Sequence, residues 1–292
     1  MAIYNKNGNE LNIVFAADGT ETASAFDAGG AQVYTNVRTL KVMTYNVGTW
    51  YDGKHDNVPA AQDADYYALQ KGMILANEPD IICMEEYCKQ FSKAGRTANS
   101  LLLECGYYYI QESLGDSPTA SPANGRCIAS KYPISNYTIR NFGDNSKLYY
   151  DSCIVTFRGV EIPLVITHLH WDDINKRTSE IQAIMSLIAG YDRFILCGDF
   201  NTVDNRGSSG SDYQAILAPL ANAGYNISNG GDFGFIRTYS SYPDNDWWAC
   251  LDNIVTSANI DILDVEVDET KLNDSLVERI DHLPLTVTLQ IN

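Results

Sequence analysis

Positive charge is scarce in this sequence. Twenty Lys and Arg face 37 Asp and Glu, a formal net charge of −17. Proteins that coat nucleic acid draw their affinity from many cations neutralising phosphates, so this balance argues against that class. It does not exclude chemistry on a single phosphate, where one bound cation and a few local Lys or Arg suffice. Long apolar runs are also missing, and with them a membrane-spanning segment. The start, Met1 to Asn9, lacks a basic stretch followed by an apolar one. The expected location is therefore the cytoplasm, or outside the cell if a leader has been removed. No two of the seven cysteines have CxxC spacing, which leaves neither a zinc nor a redox motif. Cys83, Cys127, Cys153, Cys197 and Cys250 lie in or beside apolar runs and read as reduced core thiols. Histidine is rare too: there are four, His55, His168, His170 and His282.

Hydrophobic residues make up 45% of the 292 positions and aromatics 11%, enough to fill a substantial core. The first forty residues differ from the rest. Tyr4 to Leu11 and Phe26 to Val33 share one pattern: an aromatic, Asn or Asp, a Gly-containing turn and an aliphatic. Asn-Gly and Gly-Gly between apolar positions signal hairpins, so residues 1–37 read as a short β-rich extension or small module. Residues 38–292 read as the main domain. Within it, acidic residues crowd from Asp261 to Asp281 and read as a solvated edge, Asp281 excepted.

From Leu40 onward, strand and helix patterns alternate. Strands are expected at Val42–Tyr45, Ile81–Met84, Tyr107–Ile110, Cys127–Ala129, Ser152–Phe157, Ile162–Thr167, Arg193–Cys197, Leu251–Thr256, Asp261–Val267 and Leu285–Ile291. Helices are expected at Tyr66–Ala76, Asn99–Cys105, Ile174–Ala189 and Tyr213–Ala223. Such alternation indicates an α/β fold with helices packed on sheets.

Polar residues stand where the apolar strands end. Asn46 follows Tyr45, Glu86 follows the run Asp80 to Glu85, and His168 follows Thr167. Asp199 and Asn201 follow Cys197-Gly198, Asp252 opens a strand, and Asp281-His282 precedes Leu283-Pro284. A strand end fixes a side chain on a rigid element at a sheet rim, where α/β sites are found. The residue types suit phosphate-ester hydrolysis. Carboxylates hold Mg²⁺ while leaving positions for water and phosphate. A His serves as acid or base near neutral pH, and an Asp on its other nitrogen fixes the tautomer.

Thr44 to Val47, Pro79 to Ile82 leading to Glu86, Gly125 to Ile134, Thr167-His168-Leu169, Gly198-Asp199-Phe200-Asn201 and Asp281-His282-Leu283-Pro284 resemble, in order, the blocks of the endonuclease/exonuclease/phosphatase superfamily. The resemblance spans about residues 38 to 291. It implies a four-layer sandwich, two mixed β-sheets packed face to face with helices outside. It also implies roles. Glu86 would be the main ligand of a Mg²⁺ or Mn²⁺ ion, with Asn46 and Asp281 contributing directly or through water. His282, oriented by Asp252, would act as base. Asp199 and Asn201 would position the attacking water and the phosphate, and His168 would stabilise the phosphate charge or help the leaving group. Either Asp199 or the His282–Asp252 pair takes the water proton.

Substrate is less legible. Many DNase I relatives carry an Arg just before the strand that leads to the His, but here that stretch reads Tyr149-Tyr150-Asp151-Ser152-Cys153. Arg126 or Lys147 would have to take over the contact. Lys89, with Lys93 and Arg96, follows Glu86 at near-helical spacing and forms either a basic face beside the metal or a solvated one. His170, Asp172 and Asp173 read equally as substrate-touching or as a polar loop, and Arg177 as structural. Trp247 and Trp248, near Tyr239 and Tyr242, could stack on the organic part of a substrate. The leading expectation is a metal-dependent phosphodiesterase, nuclease-like in the broad sense, that favours a small or flexible phosphoester over long duplex DNA. The alternatives are a sugar-, inositol- or lipid-phosphate phosphatase, sphingomyelinase-like, and an inactive binding or assembly protein on the same fold.

Overall fold

Two six-stranded sheets pack face to face, and each has a parallel pair at its centre. The computed structural model describes residues 39–48, 60–87, 97–113, 125–142, 149–202, 209–240, 248–269 and 282–292, together with four short strands before them. Those four are β1 (Ile3–Tyr4), β2 (Glu10–Ile13), β3 (Ala25–Phe26) and β4 (Gln32–Tyr34). They pair antiparallel in chain order. Tyr4 opposite Glu10 and Phe26 opposite Gln32 bracket the two expected turns, which themselves lie outside the described residues.

In the first sheet β5 (Thr39–Asn46) and β6 (Ile81–Glu85) run parallel, joined through helix α1 (Ala60–Asn77). Parallel neighbours need a crossover of this kind. β7 (Tyr109–Ser113) and β8 (Arg126–Ser130) extend the sheet on one side, preceded by α2 (Ala98–Glu104). The second sheet begins with β9 (Ile134–Asn141) and β10 (Tyr149–Phe157). Its parallel pair is β11 (Val160–His168) and β12 (Ile195–Asp199), joined through α3 (Ile174–Ile188). After β12 come α4 (Ala218–Asn222), the two-residue strands β13 (Asn226–Ile227), β14 (Tyr239–Ser240) and β15 (Trp248–Ala249), and then β16 (Asp252–Thr256). β13 and β16 complete the second sheet. β17 (Ile260–Val267) and β18 (Leu285–Ile291) return to complete the first.

Strand alternation divides the apolar side chains into three layers. Val42, Ile81, Cys83, Ile128, Cys153, Leu164, Ile166, Cys197, Ile254 and Val287 fill the space between the sheets. Met43, Tyr45, Ile82 and Met84 face α1 and α2. Val165, Leu196 and Val255 face α3. Because β6 and β12 are covered on both faces, they read as continuous apolar runs. The four-layer sandwich expected from the sequence is what the chain forms.

Some elements differ from expectation. β9 was not anticipated, because it is an edge strand whose residues are half-buried or exposed. The segment expected as one helix from Tyr213 is a π-helical stretch, Tyr213–Leu217, that passes into α4. Pro219 lacks the N–H a regular ladder would use there, and a widened turn accommodates it.

At the C-terminal ends of the parallel pairs the two sheets present polar rows to each other. In the first sheet Asn46, Glu85, Arg126 and Ser113 are register partners in sequence across four strands. In the second, His168, Asp199 and Asp252 stand side by side across three.

Candidate active site

Asp199 is the centre of the cluster and is 1% exposed. Its Oδ2 accepts from Asn46 Nδ2 at 3.0 Å, across the gap between the sheets. His168 Nε2 and His282 Nε2 each lie 3.5 Å from that oxygen. Its Oδ1 accepts from the backbone N–H of Asn201 at 2.9 Å. Burial pushes the Asp199 carboxyl up, but His282, His168 and the hydrogen bonds from Asn46 and Asn201 more than offset this and hold it below the usual carboxylate range. His282 Nδ1 lies 2.9 Å from Asp252 Oδ2. An N–H donated there leaves the lone pair of Nε2 facing Asp199. Burial, with Asp199 nearby, pushes the Asp252 carboxyl up to about 6 against the opposing pull of His282.

Glu86 closes the cluster on the first sheet. Its Oε1 accepts from Asn46 Nδ2 at 3.3 Å, while Asn46 Oδ1 accepts from Gly48 N at 3.0 Å. Glu86 and Asn201 have φ of 51° and 50°, a left-handed backbone that a non-glycine residue adopts at some cost. Among the described residues five non-glycines share this trait, and two of them are site residues.

Two features of the site were not expected. Thr238 is fully buried, and its Oγ1 accepts from Leu251 N and Asp252 N at 3.1 and 3.0 Å. Its carbonyl accepts from Leu283 N at 2.7 Å. Tyr239, next in the chain, bridges to His282 and packs its ring edge-on to the imidazole at 5.1 Å. One short segment thus locks both members of the His282–Asp252 pair, and a lone hydroxyl in a loop carries no pattern to announce that. Glu85, the residue before Glu86, is fully buried. Burial, then Asp252, Cys83 and Asp199, push its carboxyl well above the ordinary value, with only the Thr44 hydroxyl opposing. The signal was present: Glu85 is two residues beyond Cys83 on a strand, and so on the same inward face.

Arg126 corrects an expectation. It does not reach toward substrate but is 1% exposed, with Nη2 donating to Asp151 Oδ1 at 3.1 Å. Asp151 Oδ2 also accepts from Ser113 and Tyr137. The guanidinium is committed to joining β8 to β10 across the sandwich. Arg177 is structural, as expected, and pairs with Asp212 at 2.7 Å. His170 lies beside the cluster with Nδ1 2.9 Å from Asp172. Trp248 is half-buried on β15, which pairs with the strand carrying Tyr239. Asp281, Lys89 and Trp247 lie outside the described residues.

The donors fit a divalent cation. Glu86, Asp199 and Asp252 converge on one rim, and among the described residues Asp199 and Asp252 form ion pairs only with imidazoles. Such an excess of carboxylate favours a bound cation. Ligand atoms of Asp199, Asp252 and His282 fall within 4.8 Å of one another. Glu86 Oε1, which accepts from Asn46 Nδ2, adds a further carboxylate oxygen at the same cluster.

No curated protein matches the sequence. Among solved structures, an endonuclease/exonuclease/phosphatase family protein from Leptotrichia buccalis superposes with a TM-score of 0.64 at 19% identity, covering 86% of this chain and 100% of that one. A humanised TDP2 from D. rerio gives 0.64 at 16% identity over 87% and 99%. A protein from Beutenbergia cavernae gives 0.63 at 16% identity over 87% and 72%. At these identities the likeness is one of fold. The model of the Endonuclease/Exonuclease/phosphatase family matches residues 36–275, and the chain belongs to that family.

Proposed function

We propose that the chain is a metal-dependent phosphodiesterase that uses His282 as its general base. The carrying observation is the buried His282–Asp252 pair with Nε2 facing Asp199 at 3.5 Å. Family membership supports the coarser reading, a phosphoester hydrolase. D. rerio TDP2 has been solved with a single-strand DNA product, which is in keeping with diester chemistry on this fold.

Glu86, Asn46 and Asp281 would hold Mg²⁺ or Mn²⁺, which when bound polarises a phosphate oxygen and neutralises charge as the reaction proceeds. The remaining work falls to side chains. Nε2 of His282 accepts the proton of a water that sits to one side and bonds both to it and to Asp199, and the oxygen attacks phosphorus. Asp252 steadies the imidazolium that forms. Asp199 is the poorer base, because its carboxyl is held below the usual range. Its part is to fix the water. As the P–O bond to the leaving group breaks, His168 supplies a proton to the departing oxygen. Diesters are favoured over monoesters because a diester brings one negative charge and a monoester two, and among the described residues Arg126, the nearest guanidinium on the same row, is spent on Asp151.

The test is a screen of nucleic acids, nucleotides, phospholipids and inositol phosphates with Mg²⁺ or Mn²⁺ added. Turnover of a diester that EDTA abolishes and metal restores is expected. A wild-type protein that turns over only monoesters, or a His282→Ala variant that keeps near-normal turnover, would overturn the reading.

A further inference from the structure

The loop between β11 and α3 is fixed more firmly than a connection requires. Leu169 N donates to Asp199 O at 2.9 Å, and Asn201 Nδ2 donates to Leu169 O at 2.8 Å. His170 N donates to Glu180 Oε2 at 2.8 Å. Arg177 Nη1 donates to the carbonyls of both His170 and Trp171 at 3.0 and 3.1 Å. The anchors Arg177 and Glu180 are themselves buried, and Arg177 is steadied by Asp212. Burying charge is costly unless each group is paired, so two charged side chains spent on a short turn imply that the turn's shape matters.

What this turn presents is Trp171, which is 72% exposed. An aromatic ring held out to solvent on a turn whose backbone is pinned is suited to contact with something else. Trp171 stands three residues beyond His168, at most about 11 Å along the Cα trace. Asn201, whose backbone N–H holds Asp199, also holds the start of the loop. Beside it Lys176 Nζ lies 3.3 Å from His170 Nε2, placing a cation at the same rim.

We propose that Trp171 is a stacking platform that determines specificity, selecting phosphodiesters whose retained ester, the one that stays on the phosphate when the other leaves, carries a flat unsaturated ring, as a nucleoside or an aryl ester does. This rests on the phosphodiesterase reading and adds the substrate class. No bond is made or broken at Trp171; it acts by binding the ring while the phosphate occupies the site.

The test uses the full chain with Mg²⁺ and three diesters that share p-nitrophenolate as leaving group and differ only in the retained ester: methyl, phenyl and thymidine 5′ p-nitrophenyl phosphate. Stacking on an aromatic side chain is worth enough that Trp171→Ala should raise KM about tenfold or more for the phenyl and thymidine esters. The methyl ester should be unaffected, kcat should stay within about twofold, and Trp171→Phe should restore most of the loss while Trp171→Leu does not. A change in the thymidine ester alone would identify the ring as a nucleobase. Equal losses on all three esters, or no loss on any, would overturn the proposal. So would a Trp171 dependence seen only in binding to phosphatidylcholine vesicles. Calorimetric binding of thymidine 5′-monophosphate in the presence of metal separates the two readings. Binding that weakens in Trp171→Ala without hydrolysis of any diester would sink the phosphodiesterase and spare the platform. Hydrolysis with unchanged KM and unchanged binding would do the reverse.

Discussion

Adjacent glutamates have opposite fates at this site. Glu85 ends β6 pointing into the sandwich and is fully buried, whereas Glu86 turns out through a left-handed backbone and stays partly open to solvent. The resemblance points to Glu86, and nothing in the motif shows that Glu85 lies beneath the site. Arg126 was misread for a related reason: composition shows a cation near the right strand, and only the structure shows Asp151 waiting across the sandwich. The His282–Asp252 pair was an expectation that the family resemblance carried, and the two side chains lie 2.9 Å apart. His282→Ala should lower kcat at least about 100-fold with the fold intact, as should Asp252→Asn, since a positioned base contributes about that much or more. Steady-state kinetics with circular dichroism would check both. The Asp252 carboxyl, at about 6, gives a pH signature. It must be ionised to hold the imidazole, so kcat should fall as pH drops through about 6, with an apparent value that belongs to the pair. For stability the sign is opposite. A carboxyl raised in the folded state favours folding below its unfolded value of about 3.9, and that contribution is lost as pH rises through about 6. Asp199, held low, favours folding above its unfolded value and loses that contribution as pH falls through its depressed one. A denaturation series from pH 4 to 7 on wild type and Asp252→Asn would separate the two.

At the scale of elements, even the edge strands β7 and β17 were legible, and in the two large sheets only β9 and the two-residue β13 were not, β9 because its half-buried and exposed residues leave no clean alternation. β12 carries a position whose reason only packing reveals. Gly198 has φ of 152°, and a Cβ there would collide with the Thr167 backbone carbonyl on β11. Since β11 and β12 pair at this point and carry His168 and Asp199 one residue further on, the glycine lets the two side chains stand abreast. Gly198→Ala should cost about 3 kcal/mol of stability, a size typical of forced overpacking, measured by urea denaturation. Turnover should fall further than the lost folded fraction explains, because the strand pair must separate to fit the methyl group. A variant with wild-type stability and turnover would show that the strands yield easily there.

For the whole molecule, the charge of −17 predicts poor engagement of long duplex DNA. Plasmid nicking at physiological salt should be slow relative to hydrolysis of a small diester, and efficient nicking with no better small substrate would refute this. We also propose that residues 1–37 are separable from the chemistry, since every site residue lies from Asn46 onward. A chain starting at residue 38 should retain metal-dependent turnover, and failure of that piece to fold would show instead that the extension completes the main domain. Two bonds described above have a mechanical consequence. Asn46 to Asp199, and Arg126 to Asp151, each run from one sheet to the other. The groups of the candidate site therefore belong to two separate plates, and the distance between those plates is set by the side chains wedged lower down, Cys83, Ile128, Cys197 and Ile254 among them. Those buried residues act as a spacer. Thinning the spacer with a smaller side chain, or compressing it under hydrostatic pressure, should alter the alignment of His282 with Asp199 before it unfolds the chain, so that rate, more than stability, becomes the sensitive gauge of how well this core is packed.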